Sequence, residues 1–190
     1  MRLSRSIACT GFIVVLSAPA ITLSAAQSQA PSTAAGNSIS QAIRDAWNGA
    51  KRNLTESADQ MPEPDYAFKP TEQVRTFGQI LAHVAGANYV FCSAARGEKT
   101  PFEEDQFEKN AKTKAEIIKA LNDSLTYCDA AYVGLTDRSA GEMITMPFSM
   151  GSKARASALI LNAGHLQEHY GNLVTYFRIK GMVPPSSRRQ

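Results

Sequence analysis

The chain has 190 residues, of which 44% are hydrophobic, 8% aromatic and 19% charged; this suits one globular domain with an ordinary core and excludes a disordered chain. The formal charge is +3, but Arg2 and Arg5 fall in an N-terminal segment expected to be removed, and without them 18 basic residues face 17 acidic ones. A near-neutral domain gives no electrostatic reason to expect nucleic acid as a partner.

The first stretch has the three parts of a secretory signal. Arg2 and Arg5 form a positive start, Ile7 to Leu23 is mostly apolar, and "SAA" (Ser24 to Ala26) supplies small residues for cleavage. Ser17, Pro19 and Thr22 interrupt the apolar run, which makes it a poor span of the roughly 20 residues a bilayer requires. Cys9 does not complete a lipobox, because Ser6 stands where an aliphatic residue is expected. Residues 1–26 therefore read as a signal peptide and 27–37 as a flexible lead, with 38–190 as the folded domain. The mature protein is expected in the periplasm or outside the cell, with no stable membrane span.

Four helical patterns follow, and nothing alternates like a strand. The first runs from Ser38 to Gln60, with Ile39, Ile43, Trp47, Ala50, Leu54 and Ala58 at spacings of three or four. The connector "MPEPDYAFKP" cannot continue it. The second runs from about Thr76 to Ala95 with Phe77, Ile80, Val84, Ala87, Phe91 and Ala94 on one face, and His83 lies on that face too. A charged linker, "RGEKTPFEEDQFEKN", leads to the third helix, opened by Thr113 with Glu116 as a capping box. Its face is Ile117, Leu121, Leu125, Cys128, Tyr132 and Leu135.

A less regular segment, "TDRSAGEMITMPFSMGSKA", precedes the last helix, Arg155 to Lys180, which Gly181 and two prolines end. Ala158, Leu161, Asn162, His165, His169, Asn172, Leu173 and Tyr176 share its inner face. The expected fold is all-α, an up-down four-helix bundle. Cys92 and Cys128 remain in the mature chain, and an oxidising compartment permits a disulfide. If their helices are antiparallel neighbours with level ends, the two lie too far apart to bridge, so the balance falls on free buried cysteines.

The stretch "HLQEHY" (165–170) places two histidines four apart, on one helix face one turn from each other. The chain has only three histidines, and the third, His83, is also on an inward face. Three imidazoles on facing helices are costly to bury unpaired, and one divalent ion would take a nitrogen from each. His83, His165 and His169 are therefore the candidate metal ligands, leaving an open position for water or substrate. Gly86, Ala87, Ala163, Gly164 and Gly171 nearby suit either such room or close helix packing.

"HLQEH" also fits the inverted zinc-peptidase pattern, but no acidic residue follows His169 to complete that site. Glu168, turned about 60° from His165 around the helix, is the candidate catalytic carboxylate, and reads as a supporting or surface group before a base or a metal ligand. Asn162 and Asn172 are candidates to orient substrate or ligands. There is no haem-attachment Cys-x-x-Cys-His, phosphate loop or Gly-x-Ser-x-Gly.

The stretches "YAFKP", "TFGQILAHV" and "EHYGNLVTYFRIKGMVPPSS" resemble the DinB-like superfamily of four-helix bundles, which includes thiol-dependent S-transferases. The resemblance covers nearly everything after the signal segment. It implies a metal triad at His83, His165 and His169, with zinc or nickel as the usual ion. It further implies a low-molecular-weight thiol or water activated against a small electrophilic substrate, and a homodimer. The expected function is accordingly an exported metal-dependent hydrolase or thiol transferase; the alternative is a non-catalytic module stabilised by its metal.

Overall fold

The structure is a computed structural model and describes residues 37–188; the expected signal segment and nearly all of the lead lie outside the described residues. Four long helices form an all-α bundle: α1 (Ser38–Gln60), α2 (Phe77–Arg96), α4 (Lys114–Val133) and α6 (Arg155–Ile179). Two short helices, α3 (Gln106–Asn110) and α5 (Asp137–Ala140), lie in the connections. No described helix is long and apolar enough to cross a membrane.

Local chemistry sets the helix ends. Met61 takes an extended conformation before Pro62 and stops α1, as expected of a residue preceding proline. Thr76 and Gln79 form a capping box at α2, and Thr113 and Glu116 the expected one at α4. After α6 the chain reverses through Gly181, at φ +70°, with the Met182 N–H donating to the Phe177 carbonyl at 2.8 Å.

The sense of the helices is not a strict alternation. The lower end of the bundle is where α1 stops, and both α2 and α4 start there. Lys114 at the start of α4 donates to the Met61 carbonyl at 2.8 Å, and a Cβ on Gly78 would stand 2.9 Å from Ile117 Cδ1. Higher up, Asn88 donates to Ser124 at 3.0 Å, and Cys92 is joined to Cys128. The helices α2 and α4 are therefore parallel neighbours. Both pack against α6 or α1 running the other way, and α1 and α2 lie on a diagonal.

That direction corrects the cysteine reading. With the two helices parallel and starting level, Cys92 and Cys128 come level too, with Cα atoms 5.3 Å apart, and they form a disulfide. Both are fully buried. The expectation of free thiols rested on an antiparallel pair.

Parallel neighbours need a crossover as long as the helix. Residues 97–113, which include α3, run back down the outer side of α2. Phe102 and Phe107 pack on Tyr89 at ring separations of 4.8 and 5.8 Å, and the main chain at Glu104 lies so close that a Cβ on Gly86 would overlap its carbonyl. With α4, α6 and the crossover around it, α2 is buried on nearly all sides. Gly86 thus serves close packing, whereas Gly164 and Gly171 face open space.

Trp47 ties three helices at the upper end. Its ring stacks on Tyr132 at 4.3 Å and its Nε1–H donates to Asp129 at 2.9 Å, while the Tyr132 hydroxyl donates to the Leu159 carbonyl at 2.9 Å. The irregular segment before α6 holds a hairpin that the sequence did not suggest, β1 (Met143–Thr145) with β2 (Ser152–Ala154), antiparallel with Ile144 opposite Lys153. Arg155 at its base donates to the Ala95 and Ser139 carbonyls and pairs with Glu142. The inward faces hold in α4 throughout, but Ile39 and Leu161 are exposed, while Leu159, Leu166 and Phe177 are buried in α6 in place of Leu161.

Two measurements check this packing. Gly86→Ala should lower unfolding free energy by about 1–3 kcal/mol through overlap with Glu104, while Gly164→Ala should raise it by about 0.5–1 kcal/mol. In denaturant titrations, Cys92→Ser/Cys128→Ser should be less stable by about 3–4 kcal/mol, the closure entropy of a loop of this length.

Candidate metal centre

The antiparallel pair α2 and α6 brings the three histidines together. His83 projects from the second turn of α2, and His165 and His169 from successive turns of α6. The Nε2 atoms of His83 and His165 are 3.1 Å apart, and those of His165 and His169 are 3.0 Å apart. The rings stand edge to face, at interplanar angles of 60°, 83° and 80°. His169 is buried and the other two are half-buried.

Hydrogen bonding alone accounts poorly for this convergence. The His165 Nε2 faces two other ring nitrogens, yet a neutral imidazole nitrogen carries either one proton or one lone pair. It can satisfy one neighbour only. The Nδ1 atoms of His165 and His169 are buried with no hydrogen-bond partner among the described residues, so nothing there compensates on their far side. Nitrogens at 2.0–2.1 Å from one ion lie roughly 2.9 Å apart at right angles and roughly 3.3 Å apart at tetrahedral angles. The two separations above fall between these values, and the ligand atoms of all three residues lie within 4.8 Å of one another, a set of neutral donors that suits a divalent ion. Among the described residues they are the one group of metal-ligand type drawn this close.

Burial keeps the imidazoles neutral, as ligands must be. It lowers His83 to about 4, helped by the Arg75 charge and by His169. It lowers His165 to about 3, helped by the two other histidines. His169 is also lowered by burial, against the partial opposition of Glu168 and Glu108.

His169 sits in the wall of an open cleft of about 790 Å³, lined also by Lys69, Arg75, Glu108, Asn172 and Tyr176. Asn172 lines this cleft beside His169, but it is exposed and not on the buried inner face that the sequence suggested. Glu168 is exposed, and its influence on the site is through charge on His169. Asn162 does not serve the cleft. It is fully buried, donating to the Tyr132 hydroxyl at 3.2 Å and to both disulfide sulfurs at 3.5 and 3.7 Å.

Sequence reasoning missed two charged residues. Glu108 of α3 places an oxygen 3.9 Å from His83 Nδ1, and Arg75 Nε donates to both Glu108 oxygens at 3.1 and 3.2 Å. The Tyr176 hydroxyl donates to the Arg75 carbonyl at 2.5 Å, fixing that backbone at the cleft edge. Glu108 belongs to a linker with no periodicity, and nothing in its sequence shows that the linker runs beside α2.

An all-helical bundle with a histidine cluster opening on a polar cleft is the class these features define. The profile of the DinB superfamily matches residues 46–173, and the chain belongs to that superfamily. Among solved structures, a DinB-like protein from Bacillus cereus ATCC 10987 superposes with a TM-score of 0.63 at 16% identity, covering 76% of this chain and 95% of that one. A protein of Exiguobacterium sibiricum 255-15 assigned to the DinB family gives 0.58 at 18% identity over 76% and 93% of the two chains. A mycothiol-dependent maleylpyruvate isomerase gives 0.56 at 12% identity over 70% of this chain and 60% of that one. At these identities the likeness is one of fold. No curated protein matches the chain by sequence.

The neutral cluster has a pH consequence. Folded-state values lie below the ordinary 6.5, so in acid the unfolded chain binds more protons than the folded one. The stability that these rings contribute is complete above about pH 6.5 and is lost as pH falls towards 4 and then 3. Denaturation midpoints of the metal-free protein should fall across that window, and less steeply in His165→Ala/His169→Ala.

Proposed function

We propose that this is an exported metalloprotein in which His83, His165 and His169 hold one divalent ion, zinc or nickel, and that it is an enzyme using water or a low-molecular-weight thiol against a small electrophilic substrate. The observation that carries the reading is the convergence of three imidazoles, two with Nδ1 atoms that have no partner among the described residues, beside an open cleft that His169 lines. Bound there, a divalent ion supplies Lewis acidity that brings a water or thiol ligand towards ionisation at neutral pH.

The chain's own residues have separable tasks. The histidines offer lone pairs without competing protons. The cleft gives a small molecule access to His169, and Asn172 and Lys69 on its walls are placed to orient polar groups. Arg75, Glu108 and Tyr176 fix one edge through the contacts described above. Among the described residues no carboxylate or cysteine joins the three histidines in the cluster, which supports an open rather than a closed site. The thiol option draws on the isomerase of similar fold, which is mycothiol-dependent. The buried Cys92–Cys128 disulfide supports export, since such bonds persist in oxidising compartments.

The test is elemental analysis of the mature domain, purified without a histidine tag, beside His165→Ala/His169→Ala. About one equivalent of zinc or nickel is expected in the first and none in the second, followed by turnover in a screen of thiols with electrophiles and of hydrolysable esters and amides. A folded, metal-free protein that takes up neither ion when supplied would overturn the reading. Metal without turnover would leave the ion as a strut between α2 and α6.

A further inference from the structure

The three histidines are not held alike. The buried Nδ1 atoms of His165 and His169 have no hydrogen-bond partner among the described residues, so those rings are held by packing and by the contacts at Nε2. The Nδ1 of His83 faces the Glu108 carboxylate at 3.9 Å, with side-chain exposures of 12% and 20%. That carboxylate is in turn gripped through both oxygens by Arg75 Nε. Arg75 stands immediately before the Thr76 cap of α2, the helix that carries His83. The crossover, α2 and its N-terminal approach thus meet at one ring.

A histidine has two neutral tautomers, and the group facing one nitrogen decides which nitrogen keeps the proton. A carboxylate has only acceptor sites, so it favours N–H on the nitrogen it faces. At His83 that choice puts the proton on Nδ1 and leaves the lone pair on Nε2, the atom 3.1 Å from His165 Nε2. The remaining separation is short for a flexible side chain, because the last torsion of a glutamate is soft. Catalytic and ligand contacts are also commonly longer before a site is filled than after.

We infer that Glu108, steadied by Arg75, is the positioning residue that holds His83 as its Nδ1–H tautomer and so aims the Nε2 lone pair into the cluster. Glu168, the carboxylate singled out by the sequence, has no such path to a ring nitrogen: it is exposed, and it acts on His169 through charge. The value of the arrangement rests on the metal reading above, but its physical content does not, since a tautomer can be observed without any ion.

The experiment is long-range ¹H–¹⁵N NMR of the imidazoles in the metal-free protein at pH 7.5, comparing the native sequence, Glu108→Ala and the control Glu168→Ala. His83 should be the Nδ1–H form in the native protein and in the control, and should shift to Nε2–H or to a mixture in Glu108→Ala. A native His83 protonated on Nε2, or a tautomer indifferent to Glu108→Ala, would overturn the inference. Zinc titration of the native protein and of Glu108→Ala adds the consequence: about ten- to a hundredfold weaker affinity for the variant. Equal affinities would also count against the inference. Failure of every protein to bind zinc would strike the metal reading alone, while the tautomer result would still decide the role of Glu108.

Discussion

The parallel pairing of α2 with α4 is the constraint on which most of this structure depends. Two neighbouring helices that run the same way cannot be joined by a short loop, so the chain must return the length of the bundle between them. The return is the 97–113 crossover, and its path explains features that look unrelated. It leaves no room for a side chain at Gly86. It buries α2 on nearly every side and carries Glu108 to His83. It also brings Cys92 level with Cys128, so that a covalent bond fixes the pairing.

The candidate site sits where that arrangement is least comfortable. A core of packed apolar side chains gains stability from burial, whereas three imidazoles at its edge lose hydration and regain little hydrogen bonding. Two of the ring nitrogens have no hydrogen-bond partner among the described residues. The protein tolerates the local cost because the surrounding contacts are strong: the Trp47–Tyr132 stack above, the aromatic group around Phe77 and Tyr176 below, and the disulfide between. Such concentrated frustration within an otherwise consistent bundle is typical of a place where a sequence is shaped by what it binds.

Much of this was legible in the sequence, because it is written in local periodicity. Helix ends at Thr113 and Gly181 followed from capping and turn chemistry, and the inward face read for α4 held at every position named. The histidine triad was legible for the same reason: two members share one helix face and the third sits among apolar residues. What could not be read was long-range. Direction is not encoded in a helix's own pattern, so the α2–α4 pair was taken as antiparallel and the disulfide was disfavoured. Asn162 shares the inner face with His165, but it lies deeper, against the sulfurs, and only the packing of three helices places it there. Glu108 was hidden in a charged linker whose route depends on the same undetermined direction.

The disulfide also changes what counts as an intact molecule. The 36-residue separation between Cys92 and Cys128 encloses the whole crossover, and with it Gly97, Glu104 and Glu108. A protease cutting anywhere in that exposed return would open the backbone without separating the pieces. The two fragments would stay covalently joined, with α2 and α4 still side by side and all three histidines on segments that cannot diffuse apart. The connection most open to cleavage is thus a stretch whose scission leaves both halves of the bundle tied together.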